Sequence, residues 1–194
     1  MVKTYRSTRY KALLKSWKDC EECCLCTTRS NVVFLRGSLY PDVLFIGEAP
    51  GYSEDTLGFP FVGPAGKLLD KMIAKSALAG HRLCFTNLVG CIPKDGGGSK
   101  LNEPSKDSIE SCMPRVFSII SLCKPLKLVR VGKLATKYVT PKSFSNYKGS
   151  QKLTRLLETE TIDIIHPAAI LRAEQFQKML AVQSTISKLN DLDF

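Results

Sequence analysis

Four short apolar runs, at 43–46, 83–85, 126–131 and 161–165, each end in a segment rich in chemistry-bearing residues, and this placement constrains the fold more than any other feature. The segments are Gly47-Glu48-Ala49-Pro50-Gly51, Thr86-Asn87, Val131-Gly132 and His166-Pro167-Ala168. Apolar runs of this length read as buried strands, and helical patterns separate them. In an open parallel sheet the loops at the carboxyl ends of the strands converge on one crevice. The pattern therefore predicts a three-layer α/β/α fold with a central parallel sheet of about four strands, and a pocket assembled from residues far apart in sequence.

The intervening segments supply the covering helices. Tyr10, Leu13, Leu14 and Trp17 stand at helical spacing within 5–19, and Leu68, Leu69, Met72 and Ile73 share one face within 65–79. Ile109, Cys112, Val116, Ile119 and Ile120 point one way from a helix over 105–122, and a helix over 174–189 closes the chain. Two stretches read as irregular: 94–104, with Asp95-Gly96-Gly97-Gly98-Ser99 as a flexible loop, and the polar 141–151. At 194 residues, with no internal repeat or low-complexity tail, the chain reads as a single domain over 1–194.

The 28 basic residues outnumber the 18 acidic ones, giving a net charge of +10 and a surface field that attracts polyanions. Nucleic acid is the first partner that such a field suggests. No run approaches the roughly 18 consecutive apolar residues that span a bilayer, and the first residues lack the apolar stretch of a secretory signal. The expectation is an intracellular, cytoplasmic protein with no membrane partner. In a reducing compartment eight cysteines point to metal or cluster ligation rather than a disulfide framework. Cys20, Cys23, Cys24 and Cys26 form two overlapping Cys-x-x-Cys pairs, Cys20 with Cys23 or Cys23 with Cys26. A further pair such as Cys91 and Cys112 completes a four-thiolate set suited to zinc or to an iron–sulfur cluster. Cys84 and Cys123 sit in apolar contexts and read as buried spectators.

The strand-end segments each carry a plain structural reading beside the functional one. Gly47 to Gly51 resembles a phosphate-cradling turn, although a Gly/Pro turn after a strand is also commonplace. Phe61, inside the run Phe61-Val62-Gly63-Pro64-Ala65-Gly66-Lys67, is either a hydrophobic plug or a stacking platform. His166, one of two histidines, is a structural hydrogen-bonder or a catalyst, and its place at a carboxyl strand end favours the second. His81 has no such setting and reads as surface or turn.

Taken in order, these segments resemble the uracil-DNA glycosylase superfamily, and most closely its iron–sulfur family 4 branch. The carrying motifs are Cys20-x-x-Cys23-x-Leu25 followed by Arg29, then Gly47-Glu48-Ala49-Pro50-Gly51 with Glu54-Asp55, then Gly58-x-Pro60-Phe61-Val62-Gly63-x-Ala65-Gly66-Lys67-Leu68-Leu69. They continue with Thr86-Asn87, Cys91-x-Pro93, Cys112-x-Pro114, Gly132-x-x-Ala135 and His166-Pro167-Ala168 ending in Leu171-Arg172.

The resemblance implies a monomeric enzyme that flips uracil out of DNA and hydrolyses its N-glycosidic bond, leaving an abasic site. It assigns Cys20, Cys23, Cys91 and Cys112 to a structural 4Fe-4S cluster, with zinc as the chemical alternative and Cys24 and Cys26 as extras. It implies that Asn87 reads the uracil edge, Phe61 stacks on the ring and Glu54 fences the C5 position against a methyl group. The backbone around Glu48 and Ala49 grips the base and a nearby water, and Glu48 orients that water or stabilises the cationic sugar. His166 donates to uracil O2 as negative charge grows there. Ile170, Leu171 and Arg172 fall where relatives carry a DNA-inserting loop, which suggests an apolar wedge with Arg172 on phosphate.

Some residues depart from the pattern. Ala49 stands where family 1 relatives place an aspartate, Gly90 where relatives often have a basic residue, and the segment between Cys91 and Cys112 is Gly-rich and long. The histidine-bearing basic loop of the branch that bonds covalently to DNA is missing. The rival reading from another class is a non-catalytic DNA-binding or replication-accessory protein that keeps the fold and cluster. The joint presence of Glu48, Glu54, Phe61, Asn87 and His166 argues against it.

Overall fold

Each of the four apolar runs is a strand in the computed structural model, which describes residues 2–94, 101–147 and 151–194. The strands are β1 (Arg36–Gly37), β2 (Val43–Gly47), β3 (Leu83–Asn87), β4 (Lys127–Val131) and β5 (Thr161–Ile164). The helices are α1 (Val2–Trp17), α2 (Tyr52–Leu57), α3 (Pro64–Ile73), α4 (Lys106–Cys123), α5 (Lys133–Tyr138), α6 (Pro141–Phe144), α7 (Gln151–Thr159), α8 (Pro167–Arg172) and α9 (Gln175–Asn190). The sheet order is β1-β3-β2-β4-β5, and every neighbouring pair is parallel except β1 with β3. The sheet is thus one strand wider than the sequence predicts. The extra strand is a two-residue antiparallel edge, too short to leave a periodicity.

β2 is buried along its whole length, as a central parallel strand covered on both faces must be. Alternate residues face opposite ways. Leu44 and Ile46 join Cys84, Leu128, α4 residues Ile109 and Ile119, and α7 residues Leu153 and Leu157 on one face. Val43 and Phe45 join α3 residues Leu69 and Met72, together with Phe85, Val129, Ile164 and Leu189, on the other. The chain passes from β2 to β3 on one side and later returns across β2 to β4 on the other. The order of connection therefore reverses at β2, and a ligand crevice is expected at its carboxyl end.

Three segments differ from the sequence reading. Residues 141–144 form α6, capped by Thr140, whose hydroxyl accepts from the Ser143 amide, and Phe144 is fully buried beneath it. α7 opens at the end of the same polar stretch and buries Leu153 and Leu157. A four-residue helix is too short to show a 3.6-residue pattern, so composition alone reads as a loop. α3 stops at Ile73, where the chain turns and the Ser76 hydroxyl donates to the Ile73 carbonyl at 2.9 Å. The glycine run 95–99 lies outside the described residues, but its flanks pair, with Lys94 bridging Leu101 and the Asn102 amide donating to the Pro93 carbonyl at 2.8 Å. Among the described residues no helix is long and apolar enough to cross a membrane.

The weight of the central strand can be measured. Leu44→Ala, which empties a fully buried position, is expected to lower the unfolding free energy by about 2–5 kcal/mol in urea titrations. Leu126→Ala, at a residue 59% exposed, is expected to change it by less than about 0.5 kcal/mol.

Candidate active site

The carboxyl ends of β2, β3 and β5 and the loops that follow them open into a cleft of about 1360 Å³. Typical small-molecule pockets run to about 300–1,000 Å³, so this cleft has room for more than an isolated ring. Glu48, Ala49, Glu54, Phe61, Asn87, His166, Leu171 and Arg172 all line it.

The register of β2 and β3 sets the floor. Gly47 pairs with Asn87, and beyond the strands the Leu88 amide donates to the Gly47 carbonyl at 2.9 Å. A Cβ at position 47 would collide with Asn87 Oδ1 and stand 2.5 Å from Phe61 Cζ. Glycine here is what lets the amide and the ring approach each other. Asn87 is 3% exposed, and Phe61 packs against the Phe85 ring at 5.7 Å and 53°.

Phe61 has φ +57°, an uncommon backbone for a residue with a Cβ. Glu54 holds it there. Its Oε1 accepts from the amides of Val62 at 3.0 Å and Gly63 at 2.8 Å, the two residues that follow the ring, while Oε2 accepts from Gly51 at 3.1 Å. One buried carboxylate thus joins the glycine turn after β2 to the aromatic loop. Both of its oxygens are engaged, which fixes it rigidly in the cleft wall.

Across the cleft, Glu48 Oε1 accepts from the Leu134 amide in the first turn of α5 at 3.2 Å. Gly132, with φ +93°, makes the approach possible, because a Cβ there would collide with the same oxygen and lie 3.0 Å from His166 Cβ. Burial raises the Glu48 carboxyl above its ordinary value, the Leu134 bond opposes the rise, and Glu103 adds to it. The Leu134 amide and Glu103 were not legible as site elements. A backbone donor carries no side-chain signature, and Glu103 sits in a segment whose path the sequence does not give.

His166 caps α8, its Nδ1 accepting from the Ala168 amide at 3.2 Å. An accepting Nδ1 carries no proton, so in the neutral ring the proton is on Nε2. Burial, with Arg172 nearby, pulls the imidazole down to about 4. At neutral pH the cleft therefore holds an uncharged imidazole with one N–H left to donate.

The segment expected to insert into DNA offers fewer free residues than the sequence suggests. Ile170 is 1% exposed and packs in the core with Leu69 and Ile164, so it has no free face to insert into DNA. Leu171, 37% exposed, and the exposed Arg172 remain at the cleft rim. Lys133 and Lys137, four residues apart on α5, line the same cleft and extend its basic edge.

The cysteines gather on the side of the sheet covered by α4. Cys91 follows β3, Cys112 lies on α4, and Cys23 begins a short turn that packs Leu25 into the same cluster. Burial pushes the Cys91 thiol up to about 12, with Cys112 and Cys23 adding to the rise and Arg29 opposing it. Cys23 is raised chiefly by burial, with a contribution from Cys112. Cys20 is half-buried and Cys24 is exposed, with its Sγ 3.8 Å from Ser108 Oγ. No three His, Cys, Asp or Glu side chains among the described residues converge closely enough to hold a single metal ion. Three guanidinium nitrogens, Arg29 Nη1, Arg36 Nε and Arg115 Nε, are buried without a hydrogen-bond partner among the described residues; Arg36 pairs with Asp70 through its other nitrogens. Neighbouring thiols beside guanidinium groups with a nitrogen left free make a donor set suited to a soft, negatively charged centre.

These features define a class: a doubly wound α/β/α protein whose switch-point cleft is lined by a buried amide, an aromatic ring and a neutral imidazole. A sequence model of the Uracil DNA glycosylase superfamily matches residues 35–189. The chain belongs to that superfamily. It is 33% identical over 183 residues to a type-4 uracil-DNA glycosylase of Sulfurisphaera tokodaii, covering 90% of this chain and 80% of the relative. It is 31% identical over 177 residues to one of Pyrobaculum aerophilum, covering 85% and 88%. A type-4 enzyme of Thermotoga maritima matches at 28% over 174 residues, 88% of each chain.

The state of the imidazole is directly testable. With two histidines in the chain, nitrogen-detected NMR should assign His166 as the neutral Nε2–H form at pH 7, protonating only near pH 4. Because its folded value lies below the unfolded one, the unfolded chain binds the extra proton first. Stability should therefore fall as pH drops from about 6.5 towards about 4.

Proposed function

We propose that this chain is a uracil-DNA glycosylase, a hydrolase that takes a uracil nucleotide out of the DNA stack and cleaves its N-glycosidic bond. The observation that carries this reading is the convergence of Asn87, Phe61, Glu48 and His166 on one cleft, with the imidazole neutral and its Nε2–H unengaged among the described residues. The relatives bearing the type-4 uracil-DNA glycosylase name support it.

Each residue has a role that its setting suits. The Asn87 carboxamide reads the Watson–Crick edge of the flipped base, and Phe61 stacks on its face. Glu54, pinned by three amides, is a rigid wall against a C5 methyl. The backbone at Ala49 lies beside the base. As the bond breaks, charge accumulates on uracil O2, and a neutral Nε2–H aimed there stabilises the transition state more than the ground state. Glu48 orients the attacking water or balances the cationic sugar. Leu171 fills the vacated stack, and Arg172, Lys133 and Lys137 meet phosphates, in keeping with the basic surface.

We assign Cys20, Cys23, Cys91 and Cys112 to a 4Fe-4S cluster, with zinc as the competing occupant. When bound, the group supplies a structural brace between the amino-terminal segment and the loop after β3. No step of the hydrolysis passes through it. The substrate is uracil-containing DNA, and the chain works as one monomeric domain.

Base release from an oligonucleotide with one uracil, followed by alkaline cleavage, tests the reading. Asn87→Ala is expected to abolish uracil-dependent cleavage, and His166→Ala to slow release by about 10²–10³-fold while DNA binding persists. Tight binding by the wild type without cleavage would sink the catalytic reading in favour of a DNA-binding accessory role.

The pH dependence separates the two titrating groups. Glu48 is raised above its usual value whereas His166 lies near 4, so acidification protonates Glu48 first. The acid limb of kcat/KM should therefore belong to Glu48 and disappear in Glu48→Gln, leaving a low, flat profile down to the His166 titration.

A further inference from the structure

Arg115 is buried to 1% exposure, and among the described residues no carboxylate pairs with it. A guanidinium taken out of water without a counter-charge is strongly disfavoured, and the Phe34 ring, 5.7 Å from its Cζ, offsets only part of that cost. Its hydrogen bonds all run to the strand end that presents Asn87. Nη2 donates to the Asn87 carbonyl at 2.6 Å and the Leu88 carbonyl at 3.2 Å, and Nη1 to Thr86 Oγ1 at 3.3 Å. The remaining nitrogen, Nε, is unpartnered among the described residues.

That Nε lies beside Gly90, the neighbour of Cys91, and the Arg115 charge acts on the Cys91 thiol. Arg115 follows Cys112 by three residues on α4, so the two share a helix face. A Cβ at Gly90, the residue before Cys91, would stand 3.2 Å from Arg115 Nε and 3.5 Å from its Cζ. Here the cation arrives from the facing helix, and the glycine leaves the space it occupies. Arg29, which also has a buried nitrogen unpartnered among the described residues, acts on Cys91 from the amino-terminal segment.

We propose that Arg115 is a positioning residue that couples the four-cysteine centre to the base-reading strand end, with Gly90 as the gap that admits its guanidinium. The proposal rests on the cluster assignment made above. One side of the guanidinium meets the negative charge of the thiolate-held centre, and the other fixes the carbonyls of Asn87 and Leu88. The height of the Asn87 carboxamide in the cleft thereby depends on a group on the opposite face of β3.

The test uses full-length protein purified without oxygen, as wild type, Arg115→Lys and Arg115→Met. It reads iron and sulfide content, the reduction potential by voltammetry, and kcat and KM for uracil release. Arg115→Met removes a positive charge beside the centre and is expected to make the potential more negative. Arg115→Lys keeps the charge, so its potential should stay near that of the wild type. Lysine cannot bridge Thr86, Asn87 and Leu88 at once, so kcat should fall at least about tenfold in both variants with a smaller change in KM. A wild-type potential in Arg115→Met, or a wild-type kcat in Arg115→Lys, overturns the proposal. Should Arg115→Met fail to fold, the kcat of Arg115→Lys decides. Wild-type protein free of iron and sulfide would overturn the cluster assignment itself, and the coupling with it, before any variant is compared.

Discussion

The absence of a side chain at Gly47 is the constraint on which the rest of the cleft depends. The β2–β3 register puts that glycine beside Asn87, and the space above it is shared by the carboxamide and the Phe61 ring. To bring the ring there the chain adopts a left-handed backbone at Phe61, and to hold that backbone it buries Glu54 under three amide donors. Pinned at both ends, the loop between Gly51 and Gly63 behaves as one rigid wall. A strained residue persists only where its surroundings over-determine it, and the interlocking of Gly47, Phe61 and Glu54 provides that.

Burial acts in opposite directions on the two titrating groups of the cleft and drives both towards neutrality. It raises Glu48 and lowers His166, each by disfavouring the charged form. An imidazole that is uncharged at rest stabilises negative charge that appears during reaction more than it stabilises the ground state. The Ala168 and Leu134 amides, which orient the imidazole and the carboxylate, come from the first turns of short helices that begin where β5 and β4 end.

Much of this was legible in the chain. The apolar runs gave the four parallel strands, and the rule that carboxyl strand ends converge brought Glu48, Asn87 and His166 together before any coordinates. What escaped was of three kinds. β1 and α6 are too short to carry a periodicity. Ile170 lies in a motif that suggests an exposed loop, but its direction depends on how α8 packs against α3 and α9. The guanidinium of Arg115 and the amide of Leu134 act across elements distant in sequence, and neither residue type nor spacing announces such contacts.

Asp55 lies on the buried side of α2, and its carboxylate accepts from the amides of Ser30 at 2.8 Å and Asn31 at 3.2 Å while Lys94 reaches its other oxygen at 3.5 Å. Ser30 and Asn31 follow Cys23 by seven and eight residues and Lys94 follows Cys91 by three, so one carboxylate gathers the two stretches of chain that carry most of the proposed ligands. Closing such loops is the main entropic cost of assembling a multi-thiolate centre. Because the polypeptide closes them itself, a group held by these cysteines would need little further ordering of the chain. Damage to α2 would then be felt first in how readily newly made protein is loaded.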